Sequence, residues 1–310
     1  MRRKELRRFL LGITAMVVIL AGCGAKNDRN IMQTESPLES IPTTPTSFTP
    51  DFCEVPGAED GYIHSYPLET VARYDLNGDG IGEDIRVNAP EYADGSLCIA
   101  DAQIQFSSIS PTGYFTVWNM GDCLLVGISD YGFSDDPITI LYAYDGETIR
   151  ETGYFEDIAG TNAWGHDGAI CHGDGTLSAR TRFDVLGTWN AIAKYEFISG
   201  ALVDITDFYT YIAWDEQSLG WDVTTKVDIV TYEDIWNGET QIIVPAGTEL
   251  SMLGIQKGSV EGTYWVCFQA DSTGKELWMA AEVVDWYTQV AAESGFLPSE
   301  EAFVGFFYAG

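Results

Sequence analysis

Short alternating strands dominate the sequence from about residue 60 onward. Runs such as EDIRVNA, GYFTVWNM and ITILYAYDGETIRETGYF place β-branched and aromatic residues at about every second position, which is typical of strands with one buried face. Turn signals separate these runs, and Asp145-Gly146 is typical of a tight hairpin. Only 216–220 and 280–292 suggest short helices. The pattern predicts an all-β fold of antiparallel meanders and disfavours a two-lobed α/β solute receptor, which needs repeated βα units.

The first 22 residues have the features of an export signal. MRRKELRR is basic, and 9–20 (FLLGITAMVVIL) is apolar but too short to span a bilayer. The run ends in Leu-Ala-Gly-Cys at 20–23, which resembles the lipobox of bacterial lipoproteins. The resemblance implies cleavage before Cys23, a lipid on its thiol and a location at the outer face of the bacterial cell membrane. The alternative is an ordinary secretory signal with a chance cysteine.

The next segment, 23–50, is predicted to be the lipid anchor followed by a disordered linker, because it is rich in Ser, Thr and Pro. The formal net charge of the whole chain is −31. Phosphate backbones and anionic headgroups would repel such a chain, so we expect no nucleic acid partner and membrane contact through the lipid alone. Cations and cationic partners are favoured, although acidity can also serve solubility alone.

Five cysteines follow Cys23. Cys98 and Cys123 lie in apolar strand-like runs and could form a disulfide if those strands were neighbours. The alternative is that each is a small buried hydrophobic residue with a free thiol.

Residues 74–87, YDLNGDGIGEDIRV, combine an acidic loop with the start of a strand. Their oxygen donors fall at alternate positions, and Gly78 and Gly80 permit a tight backbone. The candidate ligands are Asp75, Asn77, Asp79, the carbonyl of Ile81, and Glu83. Hard oxygen ligands at this spacing are typical of a Ca²⁺ loop. The twelfth position holds Arg86 instead of the Glu of an EF-hand, and a strand follows instead of a helix.

The DxNxDGxxE pattern of this loop resembles the FG-GAP and VCBS-type repeats of β-propeller blades. That resemblance implies that Asp75, Asn77, Asp79 and Glu83 hold one structural Ca²⁺, with Asp84 as a substitute for Glu83. The alternative is an acidic Gly-rich turn that binds nothing. Weaker repeats continue to about residue 206, in units of 40 to 50 residues. Three units predict blade-like meanders over 51–221 but are too few for a closed propeller.

From about residue 222 the sequence changes character. A PAGTEL turn and the hairpin YWVCFQADSTGKELWM resemble bacterial SH3-like barrels, although ELW stands where those domains have Gly-Trp. The resemblance implies a small barrel over 222–290 with an aromatic groove for wall peptides or other short ligands, followed by an apolar tail, 291–310. The groove candidates are Tyr264, Trp265, Trp278 and Trp286. In the alternative interpretation these rings fill a small core.

The segment WGHDGAICHGDG contains His166 and His172, which could ligate zinc, although their spacing matches no usual zinc site. The sequence contains no GxSxG, HExxH, Walker or dinucleotide-binding pattern. We therefore predict a calcium-stabilised binding or scaffold module that engages cell-wall peptide or glycan, or an envelope protein. The alternative is an envelope hydrolase that uses acidic residues or a His166/His172 metal site.

Overall fold

The protein is described by a computed structural model. The described residues are 53–132, 137–159, 168–212, 221–235, 240–284 and 287–306. They belong to one unit, Thr49–Gly310. A 3-10 turn, Ala58–Asp60, and one four-residue helix, α1 (Ser299–Ala302), are the only helical elements in these ranges.

Twenty-three strands make up the rest of the regular structure in the described ranges. The first nine are β1 Ile63–Pro67, β2 Ala72–Tyr74, β3 Glu83–Asn88, β4 Ala93–Ile99, β5 Ala102–Ser108, β6 Pro111–Asn119, β7 Leu124–Asp130, β8 Ile138–Tyr144 and β9 Ile149–Phe155. The next seven are β10 Ile170–Cys171, β11 Thr176–Phe183, β12 Trp189–Ile198, β13 Ala201–Asp204, β14 Tyr209–Tyr211, β15 Trp221–Thr225 and β16 Ile229–Tyr232. The last seven are β17 Gln241–Val244, β18 Glu249–Lys257, β19 Thr263–Ala270, β20 Lys275–Val284, β21 Tyr287–Ala292, β22 Gly295–Pro298 and β23 Phe303–Val304.

The strands form three antiparallel sheets. The first sheet is the meander β2-β3-β4-β5, and the second is β1-β6-β7-β8-β9. The third sheet has 14 strands and follows the path β10-β11-β12-β14-β18-β19-β20-β16-β21-β22, with β13, β15, β17 and β23 paired to its members. The prediction of an all-β chain of antiparallel, blade-like meanders is confirmed.

The second sheet is buried on both faces because its side chains alternate between two cores. On one face Val117 and Val126 pack in the same core as Ile85 of the first sheet. On the other face Trp118 and Leu125 pack in a second core, which also contains residues of β10 and β11. The first sheet, the second sheet and the β10–β11 part of the third sheet therefore stack as layers.

The third sheet crosses the predicted boundary at residue 221. Strand β14 pairs with β18 through Tyr209 and Ile255, and both residues belong to one core with Phe268. The division between 51–221 and 222–290 is therefore not marked by a break in the sheet. Pairing among the described strands does not close into a full barrel, and the likeness to an SH3-like barrel stays a prediction.

The helix suggested for 280–292 is wrong. The structure places the end of β20 and all of β21 there, with Ala281, Val290 and Ala292 buried. Cross-strand packing of these residues overrides the helix propensity of the alanines. Within the apolar tail, Phe303 is buried. No helix in the described ranges is long and apolar enough to cross a membrane.

Candidate functional site

The loop between β2 and β3 wraps around the Asp75 carboxylate. Its Oδ1 accepts hydrogen bonds from the amides of Gly78 at 2.8 Å and Asp79 at 3.0 Å, and its Oδ2 accepts one from Gly80 at 2.8 Å. Gly78 and Gly80 have φ of 77° and 87°, values that residues with a Cβ rarely adopt. The two glycines of the sequence pattern thus allow the chain to turn back around one carboxylate.

Three further side chains fix the same loop. Asp79 Oδ1 accepts a hydrogen bond from the Ile81 amide at 2.7 Å, and Asn77 Oδ1 accepts one from the Asp79 amide at 3.0 Å. Glu83 begins β3, is buried, and accepts a hydrogen bond from the Leu76 amide at 2.8 Å. The ligand candidates are therefore held in place by the backbone of the loop itself.

The structure brings together Asp75, Asp79 and Glu83, which we call the carboxylate triad. One oxygen from each lies within 4.8 Å of the others. Ligand oxygens around Ca²⁺ lie 2.3 to 2.6 Å from the ion, so two ligands of one ion can be at most about 5 Å apart. The triad satisfies this limit, and its all-oxygen donor set suits a hard cation.

One predicted ligand, Asp84, is placed outside the triad. Asp84 follows Glu83 on β3 and therefore faces the other side of the strand. Its carboxylate pairs with Arg86 at 2.7 Å and with Arg73 at 4.0 Å. Ile81 lies in the loop as predicted, with an exposed side chain. Asp84 is thus outside the group of carboxylates that the structure assembles.

The hairpin turn between β8 and β9 lies beside this loop. A Cβ on Gly146 would lie 3.0 Å from Asn77 Nδ2. Burial and the nearby carboxylates, Glu83 first among them, raise the pKa of Tyr144. Asp145 accepts hydrogen bonds from the amide and hydroxyl of Thr148, which lower the pKa of Asp145. The triad therefore sits where the first and second sheets meet.

Asp130, an acidic residue outside the triad, has a structural role. Its carboxylate accepts hydrogen bonds from the amides of Ile109, Ser110 and Gly132 and from the Ser108 hydroxyl. Burial opposes ionisation, but these hydrogen bonds outweigh it and lower the pKa of Asp130. The carboxylate closes the turn between β5 and β6.

The predicted groove residues divide between two faces of the third sheet. Tyr264 faces the core and contacts Phe183, with ring centroids 6.5 Å apart. Trp265, the next residue, faces the opposite side with Trp278, and both are half-buried. Trp286 lies outside the described residues. The structure thus keeps two of the four candidates on one surface.

Sequence reasoning missed the partners of these two tryptophans. Tyr232 contacts Trp265 with ring centroids 5.7 Å apart, and Phe208 contacts Trp278 at 5.6 Å. Tyr232 pairs directly with Trp278 across β16 and β20. Only the strand register places these rings together, and no local sequence pattern reports that register.

The described residues do not assemble the zinc site considered for His166 and His172. His166 lies outside the described residues, and His172 is exposed with Nε2 2.9 Å from Ser178 Oγ. In the part of the chain that the structure describes, the carboxylate triad is the one group of three potential metal ligands, and His172 is not in it.

All five described cysteines are free thiols, including Cys98 and Cys123. Cys98 lies on β4 of the first sheet, whereas Cys123 lies in the turn before β7. The disulfide that the sequence allowed is therefore not formed. Burial raises the pKa of Cys171 to about 11 and that of Cys267 to about 12.

A chain of polar side chains joins β1 to β2, and nothing in the sequence signalled it. His64 lies between Asp60, 3.0 Å from its Nε2, and the Tyr74 hydroxyl, 2.9 Å from its Nδ1. The Tyr74 hydroxyl also bonds the Tyr66 hydroxyl. The hydrogen bond from His64 lowers the pKa of Asp60, and burial raises that of Tyr74. This network of side chains positions β2, the strand that leads directly into Asp75.

Comparison with protein-family models, with curated proteins and with solved structures finds no match to this chain.

Proposed function

We propose that the protein is a lipid-anchored binding or scaffold module at the outer face of a bacterial cell membrane, stabilised by one Ca²⁺ ion. The observation that carries the calcium assignment is the carboxylate triad, whose three oxygens lie within 4.8 Å of one another. In the described residues, no Lys or Arg forms an ion pair with Asp75, Asp79 or Glu83. A divalent cation would relieve the mutual repulsion of these carboxylates.

Calcium fits the donor set better than zinc because every candidate ligand atom is oxygen and none is imidazole nitrogen or thiolate sulfur. The role is structural. Asp75 follows β2 directly and Glu83 begins β3, so one ion held by both would tie the ends of two paired strands. The stabilisation follows from binding to the folded state alone.

The size of the stabilisation by calcium can be estimated from the affinities of extracellular calcium modules. With a Kd of about 10⁻⁴ to 10⁻³ M, 1 mM calcium would add roughly 0.4 to 1.4 kcal/mol to the free energy of unfolding. For a folded unit of this size, that corresponds to a rise in Tm of roughly 1 to 5 °C.

The test compares Tm in 1 mM calcium with Tm in excess chelator, by circular dichroism at 0.15 M salt. We expect the wild-type protein to lose the calculated increment in chelator and Asp79→Asn to show no calcium dependence. Asp94→Asn is the matched control, because Asp94 is exposed on β4 outside the triad, and it should respond like the wild type. Equal melting curves in calcium and chelator for all three proteins would remove the calcium site.

The lipid anchor rests on the sequence of 20–23, which lies outside the described residues. We expect radiolabelled palmitate to be incorporated into the wild-type protein in cells and not into Cys23→Ser. Incorporation into both proteins, or into neither, would contradict the assignment.

A binding role is favoured over a hydrolytic one because half-buried aromatic side chains gather on one sheet face, whereas His172 is engaged with Ser178. The proposed partners are cell-wall peptide or glycan, or an envelope protein.

A further inference from the structure

Four aromatic side chains form one surface on the outer side of the third sheet, which we call the aromatic patch. Its members are Phe208, Tyr232, Trp265 and Trp278, and all four are half-buried. The two ring contacts within it are edge-to-face, with interplanar angles of 87° for Tyr232 and Trp265 and 67° for Phe208 and Trp278. Such contacts hold the rings in fixed orientations, so the patch is preorganised.

Strand register builds this patch. On β19, Trp265 and Cys267 alternate with the buried Val266, which belongs to the core on the other side. Cys267 pairs with Trp278 on β20 and with Gly254 on β18. A Cβ on Gly254 would lie 2.8 Å from the Phe208 ring, so the absent side chain leaves room for that ring over the sheet.

Carboxylates flank the patch along β20. Glu276 and Glu282 lie two and four residues from Trp278, and alternation places both on its side of the strand. The negative charge of Glu276 adds to burial in raising the pKa of Cys267, which is consistent with its position on this face. Both glutamates are exposed, and neither has an ion-pair partner among the described residues.

One lysine lies near this surface at the start of β20, and it is already engaged. Lys275 pairs with Glu233, which follows Tyr232. The patch therefore combines aromatic faces with uncompensated negative charge, on a chain whose formal net charge is −31.

We infer that the aromatic patch and its two flanking glutamates bind a peptide segment that carries several Lys or Arg side chains. This deepens the proposed binding function and rests on it. A cation held over an indole face is attracted by the negative charge density of the ring face. The aliphatic stems of Lys and Arg cover apolar rings while their charged ends reach nearby carboxylates. Glu276 and Glu282 are six residues apart on one strand, or about 20 Å at the usual rise, so an extended basic peptide of about seven residues reaches both.

The probe is the acetylated and amidated heptapeptide Lys-Gly-Lys-Gly-Lys-Gly-Lys, whose lysines share one face when extended. The comparison peptide has Gln at each Lys position. Binding to the purified protein is measured by tryptophan fluorescence and by calorimetry at 0.15 M NaCl with 1 mM calcium. We expect saturable binding of the Lys peptide and at least tenfold weaker binding of the Gln peptide.

Variants separate the patch from general attraction to an acidic protein. We expect the double variant Glu276→Gln/Glu282→Gln to bind the Lys peptide at least tenfold more weakly than the wild type. We expect the same loss of affinity for the single variant Trp278→Ala. The control double variant Glu69→Gln/Glu91→Gln changes the net charge by the same amount at exposed residues outside the third sheet. Its affinity for the Lys peptide should fall less than twofold. The glutamate pair is exposed, so these substitutions test the site even if Trp278→Ala lowers the Tm.

Equal weakening by the two glutamate pairs would overturn the inference, because it would reduce the binding to non-specific charge attraction. Absence of binding below 1 mM would overturn it as well, and so would equal affinity for the Gln peptide, which would indicate a neutral ligand. These failures are distinguishable from failure of the proposed calcium role and anchor, because the calcium-dependent Tm and palmitate incorporation do not depend on the patch.

Discussion

The turn that contains Gly173 packs against Tyr62, the residue that precedes β1. Substitutions at Gly173 test this contact. Gly173 lies in the turn between β10 and β11 with φ of 72°, and a Cβ there would lie 2.4 Å from the Tyr62 ring. The main chain of Tyr62 is held because its carbonyl accepts a hydrogen bond from the Asn119 amide at 2.9 Å, and its ring is held because it packs against the second core. Gly173→Ala therefore introduces both backbone strain and a steric clash.

Gly175, in the same turn, separates the two effects. Its φ is 88°, but a Cβ at this position would lie 3.9 Å from its nearest neighbour, the Met120 carbonyl oxygen. Gly175→Ala should cost only the strain of a left-handed residue, about 1 to 2 kcal/mol. Gly173→Ala should cost the same strain plus roughly 1 to 3 kcal/mol for overpacking, and so about 2 to 5 kcal/mol in total.

The assay is equilibrium unfolding in urea, followed by tryptophan fluorescence, for the wild type and both alanine variants. We expect Gly173→Ala to exceed Gly175→Ala by at least 1 kcal/mol, and we expect Tyr62→Ala to abolish that excess when combined with each variant. Equal destabilisation by the two alanine substitutions would refute the packing of Tyr62 on this turn.

Three further predictions concern buried or half-buried groups. Thr116→Val removes the acceptor of the hydrogen bond from Trp118 Nε1, which is 2.7 Å long and buried, and should lower the free energy of unfolding by about 1 to 3 kcal/mol in urea. Because the pKa of Asp130 is lowered on folding, its stabilising contribution is present above the unfolded pKa of about 3.9 and is lost as the pH falls through the folded pKa. Asp130→Asn should therefore destabilise the protein at pH 7 by about 1 to 2 kcal/mol and progressively less as the pH falls below about 3.9; a loss that stays the same as the pH falls would contradict this. Iodoacetamide at pH 8 should label Cys171 and Cys267 only after unfolding, since burial raises the pKa of both thiols, and mass spectrometry showing rapid labelling of the native protein would contradict it.

Local patterns predicted what depends on local geometry. The alternation of apolar residues predicted the meanders, and the spacing of Asp75, Asp79 and Glu83 predicted carboxylates that the structure assembles. Both follow from interactions within a few residues, such as the loop amides that donate to Asp75.

Strand alternation and strand register account for the misplaced and missed site residues. Adjacent strand residues face opposite sides, and this separates Asp84 from Glu83 and Trp265 from Tyr264. Which side is buried depends on pairing between distant strands, such as β14 with β18. The same pairing places Phe208 over Gly254, and a single sequence does not report it.

Counting bound calcium tests the central claim most directly. Isothermal titration calorimetry of the chelator-treated protein with calcium chloride should give one site per chain with a Kd of about 10⁻⁴ to 10⁻³ M, and Asp79→Asn should lose that site while Asp94→Asn keeps it. No saturable heat from the wild-type protein, or an unchanged site in Asp79→Asn, would contradict the account.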